Sequence, residues 1–271
     1  MNIIVCIKQV PLASEAKIDL ETKRIIRETA SAILNPFDLY ALEEGLRLKE
    51  QFGGLVTALS MGPEKAKASL REALSMGADR AVLLSDKAFG GSDTWATSYA
   101  LAKAVAHLGG ADLVICGKQA VDGDTAQVGP GIAAHLGWPQ TAYVMKVESA
   151  GKDKIRVRRM NEEGWDICEV RLPFVMTVLK DINQPRVPTL RRSLTALDMD
   201  IPVLKPGDIG AELDKIGLFA SPTRVVKAVP PEPRNTRTQV IQGSAEHCAR
   251  EFVLQLKERG LLAGEENHAR H

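Results

Sequence analysis

The chain has 271 residues, of which 45% are hydrophobic and 25% charged, with 35 lysines and arginines against 34 aspartates and glutamates. This balance of charge excludes sequence-independent electrostatic binding of nucleic acid. No run approaches the 18 apolar residues of a membrane span. The four cysteines form no C-x-x-C pair, and the N-terminus lacks the basic start of a signal peptide, so we expect a cytoplasmic protein without disulfides or a bound metal.

In the first half of the chain, strand-like apolar runs alternate with helical segments. This alternation is typical of β-α-β units with right-handed connections, and it predicts an α/β fold with a doubly wound, mostly parallel sheet. Two short segments in which apolar and polar residues alternate flank a polar turn, which predicts a small β-hairpin over 16–26. The predicted strands are 2–10, 54–60, 80–85 and 112–116, and the predicted helices are 36–51, 64–76, 93–108 and 125–136.

The second half has a different pattern. Strand-like segments at 141–148, 154–160, 165–171 and 175–179 follow one another mostly without helices, which predicts antiparallel strands added to the sheet. Proline then becomes frequent and opposes regular structure, so we expect an extended arm over 202–238 and a final helix over 245–259. The predicted organisation is a nucleotide-binding domain of residues 1–200, followed by an arm and helix, residues 201–271, that dock on a partner subunit.

The loop after the fourth strand is the best candidate site, because ligands in open parallel sheets bind at the carboxyl ends of strands. Gly117 allows close approach, Gly123 is predicted to supply an unusual turn conformation, and Asp124 or Thr125 to cap the next helix. The free amides of that helix start favour a pyrophosphate. An ordinary capped helix is the alternative, and Lys118 is either a ligand or simply an exposed lysine.

Other chemistry is not indicated by the sequence. It contains no P-loop and no nucleophile–base motif, so we expect binding groups rather than catalytic residues. Cys6 and Cys116 lie in predicted buried strands, where small core residues are expected. Asp122 and Asp124 would repel a bare phosphate, so we expect them to hold the loop or to reach a ribose hydroxyl.

Four segments resemble the β subunit of electron-transfer flavoproteins and fall in that family's order. They are V-C-I-K-Q-V-P at 5–11, N-P-F-D at 35–38, G-K-Q-A-V-D at 117–122, and L-P-F-V-M-T-V at 172–178, which continues to N-Q-P-R-V-P-T-L at 183–190. The resemblance extends to about Leu262. It implies an adenine-nucleotide-hydrolase-like fold and an obligate heterodimer with an α subunit that carries FAD.

The same resemblance implies a second nucleotide in this subunit, which is AMP in the housekeeping members. It also implies that Leu190, predicted on an exposed loop, docks a partner flavin dehydrogenase. The implied nucleotide contacts are Cys6, Asn35, Pro36, Phe37, Asp38, Met61, Gly117, Lys118, Gln119, Ala120, Val121, Asp122, Gly123, Asp124, Thr125, Ala126, Gln127 and Val128.

Two segments, 91–98 and 122–130, resemble the electron-bifurcating branch of the family. There FAD replaces AMP, and electrons pass from NADH towards a dehydrogenase and ferredoxin. Gly123 and Ala126 lack bulk, which suits the longer ligand. Thr94 can offer a hydroxyl to the flavin or its phosphates, or it can simply follow an N-cap at Asp93.

Two alternatives stay open. The first is a housekeeping subunit that holds structural AMP and accepts electrons from acyl-CoA dehydrogenases. The second is an ATP-binding sensor similar to universal stress proteins, although the late glycine-rich phosphate loop of that class does not occur in this sequence.

Overall fold

The computed structural model describes residues 1–12, 17–18, 25–26, 32–226 and 238–262. Thirteen strands occur in these residues, and nine of them form one sheet. The strands are Asn2–Cys6 (β1), Gln9–Pro11 (β2), Lys17–Ile18 (β3), Ile25–Ile26 (β4), Ala32–Leu34 (β5), Leu55–Met61 (β6), Arg80–Leu84 (β7), Leu113–Gly117 (β8), Gln140–Ala150 (β9), Lys154–Met160 (β10), Trp165–Arg171 (β11), Phe174–Val178 (β12) and Val203–Leu204 (β13).

Helices of residues 1–229 cover both faces of this sheet, as a doubly wound fold requires. The helices in the described residues are Pro36–Phe52 (α1), Lys67–Met76 (α2), Thr94–His107 (α3), Val128–Leu136 (α4), Leu190–Asp198 (α5), Gly217–Ala220 (α6) and Ala245–Glu258 (α7), of which α7 belongs to a separate unit. Side chains alternate along the buried strands, so that Ile3 and Val5 pack on one face while Ile4 packs on the other. The first face is covered by α1, α2 and α5, and the second by α3 and α4.

The strand order is β11-β10-β9-β12-β8-β1-β6-β7-β13, and only the β9-β10-β11 end is antiparallel. The predicted mostly parallel sheet is therefore confirmed. The expectation that β12 would be antiparallel is wrong, because β12 lies between β8 and β9 and pairs in parallel with both. Its five residues are all buried, which suits a central parallel strand. The predicted hairpin is confirmed where described, since β3 pairs antiparallel with β4.

The described segment 201–226 packs on the rest of the first unit instead of extending away from it. Its strand β13 pairs in parallel with β7, and the carbonyl of Pro202 accepts a hydrogen bond from Leu83 N–H. Proline lacks a backbone donor but keeps its acceptor, so a proline-rich segment can still join a sheet edge. The chain divides between Val229 and Pro230, later than the predicted boundary at 200, and residues 227–237 lie outside the described part.

The second unit is described over residues 238–262 and contains α7. The Ser244 hydroxyl caps this helix by accepting a hydrogen bond from His247 N–H at 3.3 Å, and Gly260 follows its end with φ +67°. The predicted final helix is therefore confirmed. Among the described residues of the whole chain, no helix combines the length and apolar character needed to cross a bilayer.

Candidate functional site

A cleft of about 500 Å³ opens at the carboxyl ends of β1, β6 and β8. This is the position at which open α/β sheets bind ligands, and the volume falls in the usual range for a small-molecule site. A smaller hollow of about 340 Å³ lies at the amino ends of the strands, beside Asn2 and Arg80, away from the predicted site residues.

Most of the predicted nucleotide contacts lie on the wall of this cleft. Asn35, Pro36, Phe37, Val121 and Asp122 do not line it, and Leu190 belongs to a separate surface. The predicted residues that line the cleft are Cys6, Asp38, Met61, Thr94, Gly117, Lys118, Gln119, Ala120, Gly123, Asp124, Thr125, Ala126, Gln127 and Val128.

Asn35 holds the loop after β8 in place from beneath. It is fully buried and directly precedes α1, whose first residue is Pro36. Its Nδ2 donates to the carbonyl of Gln119 at 2.9 Å, and its Oδ1 accepts from Val121 N–H at 3.1 Å. One side chain thus satisfies two backbone groups of the loop, so Asn35 shapes the cleft without facing it.

Gly117 is needed where β8 meets the start of α1. A Cβ atom at this position would lie 2.4 Å from Asp38 Oδ1 and 2.7 Å from the backbone carbon of Phe37. No side chain fits at such distances. The predicted close approach at Gly117 is therefore real, and the group that approaches is α1 of the same chain.

Asp38 is a buried carboxyl group at the edge of the cleft. Its Oδ2 accepts a hydrogen bond from Lys8 N–H at 2.8 Å. Burial raises the pKa of Asp38 to about 7, although hydrogen bonds from Asn35, Lys8 and Gly117 act in the opposite direction. A group with this pKa changes its charge near neutral pH.

The loop after β8 carries two carboxylates, Asp122 and Asp124, and both are paired. Lys8 Nζ lies 2.8 Å from each carboxylate oxygen of Asp122, and the Gln119 amide donates to Asp124. These contacts support the expectation that the aspartates hold the loop. They also reduce the repulsion that a phosphate would meet from unpaired carboxylates.

The start of α4 differs from the prediction. The helix begins at Val128 instead of residue 125, and Gln127 stands at its N-cap without a capping side-chain bond. The predicted caps at Asp124 and Thr125 are therefore wrong. Asp124 N–H bonds to the carbonyl of Ala120 at 2.8 Å, which closes a turn in the loop and delays the helix.

The unusual backbone conformation also falls elsewhere than predicted. Asp124 and Ala126 both have φ +55°, whereas Gly123 has no positive φ. Asp tolerates the left-handed region because its short side chain bonds locally, but for alanine this conformation is uncommon. Gly123 instead leaves the space beside the loop open, because a Cβ atom there would meet nothing within 4 Å.

The opposite rim is formed by the start of α3. Asp93 caps this helix as predicted, because Oδ1 accepts from Trp95 and Ala96 N–H at 3.0 and 3.1 Å. Its Oδ2 accepts from Thr223 N–H and Oγ1 at 2.9 and 2.8 Å. Burial would raise the pKa of Asp93, but the hydrogen bonds outweigh it and hold that pKa below its usual value. Thr94 Oγ1 lies 3.2 Å from Gln127 Oε1 and joins the two rims.

The prediction did not include several residues that line the cleft. Lys8 and Cys116 adjoin predicted site residues at strand ends, and Thr97 lies one helical turn after Thr94, so local spacing could have found them. Thr223 lies in the proline-rich segment and carries no local signal. The full set is Ile7, Lys8, Ser92, Asp93, Thr97, Leu101, Cys116, Gly129 and Thr223.

A second surface, the apolar stripe, consists of Val187, Leu190, Leu194 and Leu197. The three leucines are spaced i, i+4 and i+7 on α5, so they lie on one helix face, and all four side chains are exposed. The prediction that Leu190 is exposed is confirmed, with 76% of its surface accessible, but Leu190 begins a helix instead of lying on a loop.

Arginine side chains fix the stripe to the rest of the unit. Arg71 of α2 donates to the carbonyls of Ala196 and Met199 at the end of α5. Arg186, before α5, donates to Glu43 and Glu50 of α1, at 2.8 Å from Nε to Glu43 Oε2. The apolar side chains are exposed while the backbone beneath them is anchored at both ends.

Comparisons with known proteins point to one family. The family model described as "Electron transfer flavoprotein domain" matches residues 22–204. The electron transfer flavoprotein subunit beta of Thermoanaerobacterium thermosaccharolyticum is 44% identical over 263 residues, which covers 97% of this chain and all of that protein. Protein FixA of Azorhizobium caulinodans is 44% identical, over 96% of this chain and 95% of its own. The caffeyl-CoA reductase-Etf complex subunit CarD of Acetobacterium woodii is 42% identical, over 97% and 100%.

Proposed function

The chain belongs to the electron transfer flavoprotein family as a β subunit, and from this we propose that it binds FAD in the cleft and passes electrons from NADH towards a partner dehydrogenase and ferredoxin. The β subunits of this family partner with an α subunit. The observation that carries the FAD assignment is the open space at Gly123, where a Cβ atom would meet nothing within 4 Å.

The shape of the cleft favours a ligand longer than AMP. Gly123 and Ala126 have little or no side chain, so they leave the cleft open where the loop turns towards α4. From there the cleft of about 500 Å³ continues to the start of α3. Ligand sites of this volume enclose drug-sized molecules. We therefore infer that the cleft has room for a ligand longer than a mononucleotide.

The polar groups along the cleft suit a dinucleotide. Lys118 and the first amides of α4, Val128 and Gly129, can face phosphate oxygens. Thr94 offers a hydroxyl from the opposite rim. FAD, when bound, supplies the electron-carrying chemistry, and this chain supplies binding, orientation and nearby charge.

The relatives' names support the assignment to an electron-transfer complex. CarD is by name a subunit of a complex with caffeyl-CoA reductase. We infer that the present chain likewise works with a flavin dehydrogenase, and that the apolar stripe is its docking surface. Four exposed apolar side chains on and beside one helix fit recognition of a helix in a hydrophobic groove.

The deciding experiment measures the ligands released by denaturing the purified heterodimer of this chain with its α subunit. We expect two FAD per heterodimer and flavin reduction on addition of NADH. One FAD and one AMP, without reduction by NADH, would assign the chain to the housekeeping class.

A Gly123→Leu variant tests whether the second flavin occupies the cleft. The added side chain has free space within the protein, so we expect an unchanged unfolding midpoint but loss of one FAD per heterodimer. Gly207→Leu is the matched control, because a Cβ atom at Gly207 also meets nothing within 4 Å and this residue does not line the cleft. Retention of two FAD by the Gly123 variant would contradict the assignment.

We also propose that residues 230–271 dock on the α subunit. In the described part of this unit, Phe252, Val253 and Leu254 of α7 are exposed, and a helix with such side chains gains stability by covering them. A chain ending at Val229 should no longer co-purify with the α subunit. Normal co-purification of that shorter chain would refute the proposal.

A further inference from the structure

Cys6 and Cys116 stand side by side at the floor of the cleft. They are register partners at the ends of the neighbouring parallel strands β1 and β8. Both side chains belong to the same apolar cluster, so they lie on the same face of the sheet, and both line the cleft. Of the other two cysteines, Cys168 on β11 does not line the cleft, and Cys248 belongs to the second unit of the chain.

The spacing of this pair suits a covalent bond. Register partners on adjacent strands lie about 4.8 Å apart in the hydrogen-bonding direction. Disulfides form between residues whose Cα atoms are about 4.4–6.8 Å apart. Cys6 and Cys116 are register partners whose side chains lie on the same face of the sheet, so no segment has to move far to bring the sulfur atoms together.

We propose that Cys6 and Cys116 form a redox-active dithiol, which a peroxide converts to an intramolecular disulfide across β1 and β8. This goes beyond the proposed function, because electron transfer through a flavin requires no cysteine chemistry from this chain. Each thiol is more than nine-tenths buried, and its remaining surface faces the cleft. A molecule as small as hydrogen peroxide can approach through that opening.

The reaction proceeds in two balanced steps. The sulfur of one cysteine displaces hydroxide from the peroxide, giving a sulfenic acid and, after proton transfer, one water. The sulfur of the other cysteine then attacks the sulfenic sulfur, loses its proton and releases a second water. Two thiols and one peroxide yield one disulfide and two waters.

A ligand in the cleft would cover both sulfur atoms. This protection rests on the proposed function, because it requires that a nucleotide bind there. The disulfide would then form in the empty subunit and be suppressed in the loaded one.

The test treats the full chain with hydrogen peroxide, or with the diazene oxidant diamide, and measures intact mass and non-reduced peptides. We expect a loss of two hydrogens and a peptide pair linked through Cys6 and Cys116. Cys6→Ser and Cys116→Ser should each abolish this linked pair, whereas Cys168→Ser should leave it unchanged. Phenylarsine oxide, which bridges two neighbouring thiols, should bind the wild-type chain but neither cleft variant.

Absence of the linked peptide with both oxidants, together with no arsenical binding, would overturn the proposal. A repeat with saturating FAD or AMP separates it from the proposed function. Suppression of the linked peptide by nucleotide supports both. A linked peptide that forms equally with nucleotide present supports the dithiol and contradicts nucleotide binding over the cysteines.

Discussion

The cleft and the apolar stripe are built in opposite ways. At the cleft, buried Asn35 fixes the loop after β8 from beneath, and buried Asp38 holds the backbone of Lys8 after β1. At the stripe, Arg71 and Arg186 fix a helix, and apolar side chains remain exposed. A mutation beneath the cleft should therefore lower both the stability of the fold and ligand binding, whereas a mutation on the stripe should lower only partner binding.

The largest effect is expected from Asn35→Ala. The change leaves the Gln119 carbonyl and the Val121 amide without their partner, and each unsatisfied buried group costs about 1–3 kcal/mol. We expect the free energy of unfolding to fall by about 2–6 kcal/mol and nucleotide to be lost on purification. Urea unfolding and ligand analysis measure both. Asn161→Ala, in the turn between β10 and β11, is the control and should leave both near wild type.

Asp38 should make the stability of the unit depend on pH. Its pKa is about 7 in the folded state against an ordinary value of 3.8, so between these values the folded state binds more protons than the unfolded state. Stability should therefore fall as pH rises from about 4 to 7, by about 4 kcal/mol in total from this group. Asp38→Asn should remove this share of the slope, as measured by unfolding at several pH values.

The control for this measurement is Asp153→Asn, on the exposed turn before β10. It should leave the slope between pH 4 and 7 as in the wild-type chain. An unchanged slope in the Asp38 variant would show that Asp38 ionises normally in the folded protein. It would contradict the raised pKa of Asp38 at the edge of the cleft.

The stripe offers the complementary experiment. Burial of one leucine contributes about 1.5–3 kcal/mol, so Leu190→Ala should weaken partner affinity by about 10–150-fold and leave bound nucleotide unchanged. The rate of electron exchange with the dehydrogenase at several concentrations reports this affinity. Leu55→Ala, at the amino end of β6, should have no such effect. Equal rates for the Leu190 variant and wild type would exclude Leu190 from docking.

Sequence patterns predict the regular elements well, for physical reasons. The strands and helices of the first half repeat apolar residues at fixed periods, and Asp93 caps α3 as its position indicates. The start of α4 lies three residues later than predicted, because the turn from Ala120 to Asp124 depends on contacts with Asn35 and Gln119 that no local pattern encodes.

Longer-range placements are not encoded in local patterns. Local patterns do not predict α5, because the surrounding prolines dominate that region, although Thr189 at its N-cap is a recognisable signal. The hydrogen bonds from Thr223 to Asp93 connect positions 130 residues apart. At the site, the loop could be chosen from its glycines and aspartates, but the division between wall residues and supporting residues such as Asn35 required the fold.

The position of β1 in the interior of the sheet has a consequence for how the chain folds during synthesis. Its two neighbours are β6 and β8, and β8 ends at Gly117, more than a hundred residues after β1. At about 5–20 residues per second, β1 waits about 5–20 s for that second neighbour to leave the ribosome. During this interval Ile3, Ile4 and Val5 belong to a strand with an open edge, so incomplete chains are prone to aggregate, and non-local pairing makes spontaneous refolding slow.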